Sequence, residues 1–178
     1  MSRGKPLVGS CLAAFELPSW LGASEAALRS IKATRQSVTD MPGLLINIDV
    51  PDVQAAVGFY TAALELQVGR RFGDDFVELV GADVPLYLLQ KDAGTSIGPA
   101  GGDRRRYDRQ WSPIHPDFVV PDLDAAVARA TSAGAVQEGE NCEAPYGRLA
   151  MFADPFGHGF CLIEFNKRGY DALADHGG

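Results

Sequence analysis

The chain has 178 residues, 46% of them hydrophobic and 22% charged, a composition that fits a globular protein with enough apolar mass for a real core. Its net charge of −7 is unevenly spread: residues 1–42 hold five basic and three acidic side chains, +2, which leaves −9 on the remainder. An acidic body repels nucleic acid and anionic membrane surfaces, so neither is an expected partner.

Cys11, Cys142 and Cys161 form no CxxC or zinc-type spacing, which predicts no disulfide framework and a cytoplasmic setting. No run approaches the roughly 18–20 apolar residues of a membrane span. "PLVGSCLAAF" is broken by Pro6 and Gly9 and makes a poor signal peptide. Residues 1–42 are read as an extension, with a short helix at Ser24–Ser37 capped by Ser24.

From Gly43 the pattern sharpens. "LLINIDV" (Leu44–Val50) alternates as a strand, Asp52 stands at an N-cap, and Val53, Ala56, Val57, Tyr60, Ala63 and Leu64 have helical spacing. "QVGRRFG", "DFVELVG" and "PLYLLQ" read as three strands, and Lys91–Trp111 as a loop rich in glycine and charge. Arg104, Arg105, Arg106 and Arg109 in that loop are either an anion contact or solvated charges neutralised by Asp103 and Asp108. The order then repeats. "PIHPDFVV" (Pro113–Val120) is a strand interrupted by Pro116, Asp122 caps a helix closing at Gly134, and "AVQEGE", "GRLAMFAD" and "GFCLIEF" are three more strands. "VPDVQAAV" at Val50 and "VPDLDAAV" at Val120 lie 70 residues apart. Each copy ends a strand, turns through proline, caps a helix and starts its alanine-rich face, so the repeat marks a duplicated β-α-β-β-β unit.

These paired units, with "VPDVQAAVGFYTAALEL" opening the first and "DPFGHGFCLIEF" closing the second, resemble the vicinal oxygen chelate superfamily of glyoxalases, bleomycin-resistance proteins and extradiol dioxygenases. The resemblance covers about Gly43–Phe165. It implies an α+β fold of two βαβββ modules forming a curved mixed sheet round a shared cavity, in a homodimer. The expected organisation is an extension at 1–42, module one at 43–91, a linker at 92–112, module two at 113–166 and a tail at 167–178.

The resemblance also implies divalent-metal ligands on the first and last strands of each module. The matching positions are Leu45, His115 and Cys161, with the one on "PLYLLQ" unassigned. Only His115 is of the usual ligand type, so no metal or other cofactor is expected; Zn, Ni, Mn or Fe in a rearranged site is the alternative. Strand parity puts His115 and Asp117 on one face and Asn47 and Asp49 on the equivalent face of the other module, predicting one wet cavity wall. The same parity turns Glu164 away from Cys161. Trp111, Tyr146, Arg148 and Cys161 are further candidates for ligand contact, and His158 is read as a turn residue. The expected function is small-molecule binding in the inter-module cavity, without the usual metal. Two enzyme readings stay open: a metal-dependent lyase, isomerase or dioxygenase, or a metal-free catalyst using His115 and Asp117 as acid and base.

Overall fold

A computed structural model of the chain describes residues 42–99 and 101–174; the Ser24–Ser37 segment lies outside them. Residues from Leu44 onward make one compact unit. Module one runs β1 (Ile46–Val50), α1 (Val53–Leu64), β2 (Gln67–Arg71), β3 (Phe76–Val80) and β4 (Leu86–Gln90). Module two runs β5 (Asp117–Val119), α2 (Leu123–Ser132), β6 (Val136–Gln137), β7 (Cys142–Ala144), β8 (Gly147–Ala153) and β9 (Gly159–Phe165), followed by a 3-10 turn at Gly169–Ala172.

Each copy of the repeated octapeptide does the same local work. Asp52 accepts from the amides of Gln54 and Ala55 at 2.9 and 3.0 Å, and Asp122 from that of Ala125 at 3.0 Å, satisfying donors that a helix start leaves unpaired. α2 stops where Gly134 takes φ +108°, a left-handed conformation that a side chain would strain.

The α+β class and the two modules hold, and each module contributes one mixed sheet. The strand orders are β1-β4-β3-β2 and β5-β9-β8-β6, with β7 added on β8. β1 pairs parallel with β4 and β5 with β9; all other pairs are antiparallel. α1 and α2 pack against each other and against the sheets. One apolar cluster therefore spans both modules, from Phe59, Leu79 and Leu88 to Leu123, Phe152 and Leu162. Burying each such side chain contributes about 1.5–3 kcal/mol.

Three expected elements change. The strand predicted at Pro113–Val120 shrinks to Asp117–Val119, because Pro116 has no N–H for a ladder and contributes only its carbonyl, to Cys161 N at 3.1 Å. His115 thus precedes the strand. β7 is an added short strand that no alternating pattern announced. The linker is a tight strap: Ser96 and Arg104 bridge antiparallel, and Gln110 bridges parallel to His158.

A buried polar lock joins the modules. Asp154 accepts from the Tyr60 hydroxyl at 2.6 Å and from the amides of Phe156 and His158 at 2.9 and 2.8 Å. Burial first, and the Asp154 carboxylate second, push the Tyr60 phenol well above its ordinary pKa.

Candidate functional site

The site is built on β5 and β9. Asp117 and Cys161 are direct partners across this parallel pair, so their side chains leave the same face of the sheet. Phe118 and Leu162, one residue on, point to the opposite face and into the core. His115, two residues before Asp117, falls on the open face again, and its Nε2 lies 3.3 Å from Asp117 Oδ1. One donor atom from each of His115, Asp117 and Cys161 lies within 4.8 Å of the others. Cys161 is 3% exposed, whereas the His115 and Asp117 side chains are 36% and 37% exposed. The cluster has a buried floor and an open rim.

Aromatic groups flank it. The Trp111 ring meets His115 edge-on, with centroids 5.1 Å apart. Trp111 is held in turn: its Nε1 donates to Glu138 at 2.7 Å, and the Arg109 guanidinium sits 4.7 Å above its ring while pairing with Glu138. Gly159 makes room for the indole, since a Cβ there would come within 2.6 Å of the ring. Hydrogen bonding from Arg109, then from Trp111, holds the Glu138 carboxyl below its usual range. Tyr170, half exposed, stacks obliquely on Tyr146 at 5.2 Å and edge-on to Phe165 at 4.8 Å. Burial raises the Tyr170 phenol, and the neighbouring Asp117 carboxylate and Cys161 side chain raise it further.

The predicted single wall of four polar groups divides. Asp49 faces the linker, where its Oδ2 accepts from Arg105 Nε at 2.7 Å, and Asn47 stays exposed on sheet one. Asp49 has Val119 as its counterpart by the 70-residue offset, so the row that carries His115 and Asp117 in module two ends on an apolar, exposed valine where module one has an aspartate. Arg148 lies on the helix side of sheet two. It bridges Asp124 at 3.0 Å and Glu164 at 2.7 Å, while Glu164 also receives the Leu123 amide at 2.7 Å. Glu164 does turn away from Cys161, as parity required.

His158 does more than turn the chain. Its Nε2 sits 2.9 Å from the Asp49 carbonyl and its ring meets Tyr107 edge-on at 6.2 Å, tying β9 to β1 through the strap. A cavity of about 480 Å³ opens there, lined by Asp49, His158, Tyr107 and linker arginines, and another of about 430 Å³ lies beside Gln90 and Asp92. Neither includes His115. The arginine run is largely committed: Arg105 holds Asp49, Arg109 holds Glu138, and Arg104 donates to the Gly94 carbonyl.

The internal repeat assigns the position left open on "PLYLLQ". Asn47 pairs with Tyr87 as Asp117 pairs with Cys161, so Tyr87 is the counterpart of Cys161. Its hydroxyl donates to Glu78 at 2.7 Å and accepts from Arg70 Nη2 at 2.9 Å. The side chain of Leu45, counterpart of His115, has no donor atom. A four-position metal centre drawn from both modules therefore does not fit this chain.

A glyoxalase-like domain profile matches residues 45–163. The chain belongs to the glyoxalase-like domain family. Among curated relatives, the anthracycline biosynthesis protein DauV of Streptomyces sp. (strain C5) is 34% identical over 170 residues, covering 92% of this chain and 56% of that protein. DnrV of Streptomyces peucetius, also an anthracycline biosynthesis protein, is 33% identical over 159 residues, with 86% and 52% covered. The chain thus spans about half the length of the curated relatives it matches. The fosfomycin resistance protein FosX of Listeria monocytogenes superposes with a TM-score of 0.56 at 17% identity, covering 72% of this chain and 94% of FosX. TnmS3, an antibiotic binding protein from Streptomyces sp. CB03234, gives 0.52 at 22%, with 73% and 100% covered. At these identities the structural likeness establishes the fold shared with the glyoxalase, bleomycin-resistance and dioxygenase superfamily. Among the described residues no helix is long and apolar enough to cross a membrane.

Proposed function

We propose that the chain binds a flat aromatic small molecule on the open face of sheet two, without the four-ligand metal centre of its superfamily. The observation that carries this is the pairing of Trp111 and the Tyr146–Tyr170 pair with a polar rim of His115 and Asp117. Flat rings gain stacking energy on such walls, while the rim offers a donor and an acceptor to ring oxygens. The anthracycline-biosynthesis relatives and the antibiotic-binding structural neighbour support a ligand of fused-ring type.

A second reading is favoured by the 3.3 Å contact between His115 Nε2 and Asp117. A carboxylate on one ring nitrogen orients the imidazole and leaves the other nitrogen to exchange a proton with a bound substrate. Isothermal titration of the full chain with an anthracycline aglycone and simpler anthraquinones tests both readings. Binding that survives His115→Gln while product formation is lost assigns catalysis. Binding weakened at least tenfold, with no turnover by the wild type, assigns a binder. Absence of binding to every fused-ring compound contradicts the proposal.

A further inference from the structure

The arginine run of the linker carries more positive charge than its neighbours balance. We infer that the cavity between the linker and the end of β1 is a site for a small organic phosphate monoester, held by Arg104 and Arg106. It shares no side chain with the open face of sheet two. The fused-ring ligand stays on that face, and this inference stands independently of it.

Asp103 and Asp108 lie close enough in sequence to neutralise the run, but the fold uses them little. Among the described residues the linker's ion pairs are Arg105–Asp49, Arg106–Asp108 and Arg109–Glu138; Arg104 and Asp103 enter none. The Arg106–Asp108 contact is 3.8 Å long, between side chains 66% and 75% exposed, a geometry that contributes little in water. Arg104, Arg105 and Arg106 all line the cavity of about 480 Å³, and Asp49 and Asp103 are its carboxylates. Arg105 is paired with Asp49, which leaves two guanidiniums against the one exposed Asp103. In a chain of net charge −7 this surplus is local, and an anion balances it.

The linker holds these cations in place ahead of any ligand. The Gly94 amide donates to the Arg105 carbonyl at 2.8 Å, and the Arg105 amide to that of Thr95 at 2.9 Å. Arg104 Nη1 donates to the Gly94 carbonyl at 2.7 Å, which orients the guanidinium without neutralising it. Gln110 Nε2 donates to the Arg106 carbonyl at 3.1 Å, and the Tyr107 hydroxyl to the Lys91 carbonyl at 2.7 Å. Donors fixed in this way lose little further freedom on binding. Two guanidiniums suit a phosphate better than a carboxylate. A carboxylate fills one planar fork, whereas a phosphate monoester presents three oxygens and about −1.5 to −2 charges at pH 7. The cavity is larger than a bare phosphate needs, and Ile97 and Tyr107 give it apolar wall for the esterified group.

The test uses the full chain, titrated by calorimetry and followed by phosphorus nuclear magnetic resonance. Glucose 6-phosphate is the probe, with glucose, gluconate and inorganic phosphate as comparisons. The expected result is one glucose 6-phosphate per chain, displaced by inorganic phosphate, and no uptake of glucose. Arg104→Gln and Arg106→Gln each weaken binding about tenfold or more, and Asp103→Asn strengthens it. Arg71→Gln removes the same charge from an exposed position on β2 and leaves affinity unchanged. Arg104 and Arg106 are themselves exposed, and circular dichroism of each variant verifies folding. Absence of saturable uptake at about 10 mM, where a site with a Kd of about 1 mM is mostly filled, overturns the inference. So does affinity indifferent to both Arg104→Gln and Arg106→Gln, an equal loss in Arg71→Gln, or tighter binding of gluconate than of glucose 6-phosphate.

Discussion

Removing the Asp154 lock is the most informative perturbation of the fold, because one of its three bonds ties α1 of module one to the turn before β9 and the other two brace that turn. Tyr60→Phe deletes one bond to a carboxylate and leaves the other two, at a cost of about 1.5–3 kcal/mol. Asp154→Ala does more, since the hydroxyl of Tyr60, a residue 3% exposed, and the Phe156 and His158 amides all lose their acceptor. Each buried donor left unsatisfied costs about 1–3 kcal/mol. With the His158 amide only half-buried and reachable by water, the expected loss is roughly 3–5 kcal/mol, a large share of the about 5–15 kcal/mol typical of a domain. Urea unfolding followed by circular dichroism, on wild type, both single variants and the double variant, gives the coupling. The double-mutant cycle should return about 1–3 kcal/mol between Tyr60 and Asp154. A Tyr60→Phe midpoint equal to wild type, or additive effects, would refute the claim that this bond fastens the modules.

Two further outcomes are expected. Glu78, hydrogen-bonded first by Arg70 and then by Tyr87, has its pKa lowered from 4.5 to about 2. The unfolded chain takes up this proton at higher pH than the folded one, so the stabilisation is complete above about pH 4.5 and fades as pH falls toward 2. The stability gap between wild type and Glu78→Gln should therefore narrow across that window in acid-side urea melts; a gap independent of pH contradicts the assignment. Gly159→Ala places a methyl where the Trp111 ring lies and should shift Trp111 fluorescence in a Trp20→Phe background; an unchanged spectrum contradicts the close approach.

The legibility of the fold follows from the repeat. Proline, the aspartate cap and an alanine-rich face are local signals, so both helices and the end of the strand before each are placed from spacing alone, while the start of the second strand is cut short by Pro116. Glu164 was likewise assignable by parity, because alternation along one strand needs no knowledge of its neighbours. The site was less legible for a related reason. Asp117 and Cys161 meet only because β5 lies beside β9, a pairing of residues 44 positions apart that no local pattern encodes. Asp49 was grouped with His115 because alternation identifies a face but not the element lying over it, and here the linker covers Asp49 through Arg105. His158 looked like a turn residue because its partner, the Asp49 carbonyl, is 109 positions away. Arg148 is drawn from the pocket by Asp124 on α2 and Glu164 on β9, which only the folded topology brings together.

The account rests on the open face of sheet two being the binding surface, and not the linker cavity beside Asp49. Equilibrium titration of the Trp20→Phe chain with an anthracycline aglycone, following Trp111 quenching and repeating by calorimetry where Trp111 is removed, distinguishes the two. The account predicts that Trp111→Ala weakens binding at least tenfold, about 1.4 kcal/mol or more, while Arg106→Ala on the linker leaves the Kd unchanged. Unaltered affinity in Trp111→Ala, with loss in Arg106→Ala, would contradict it.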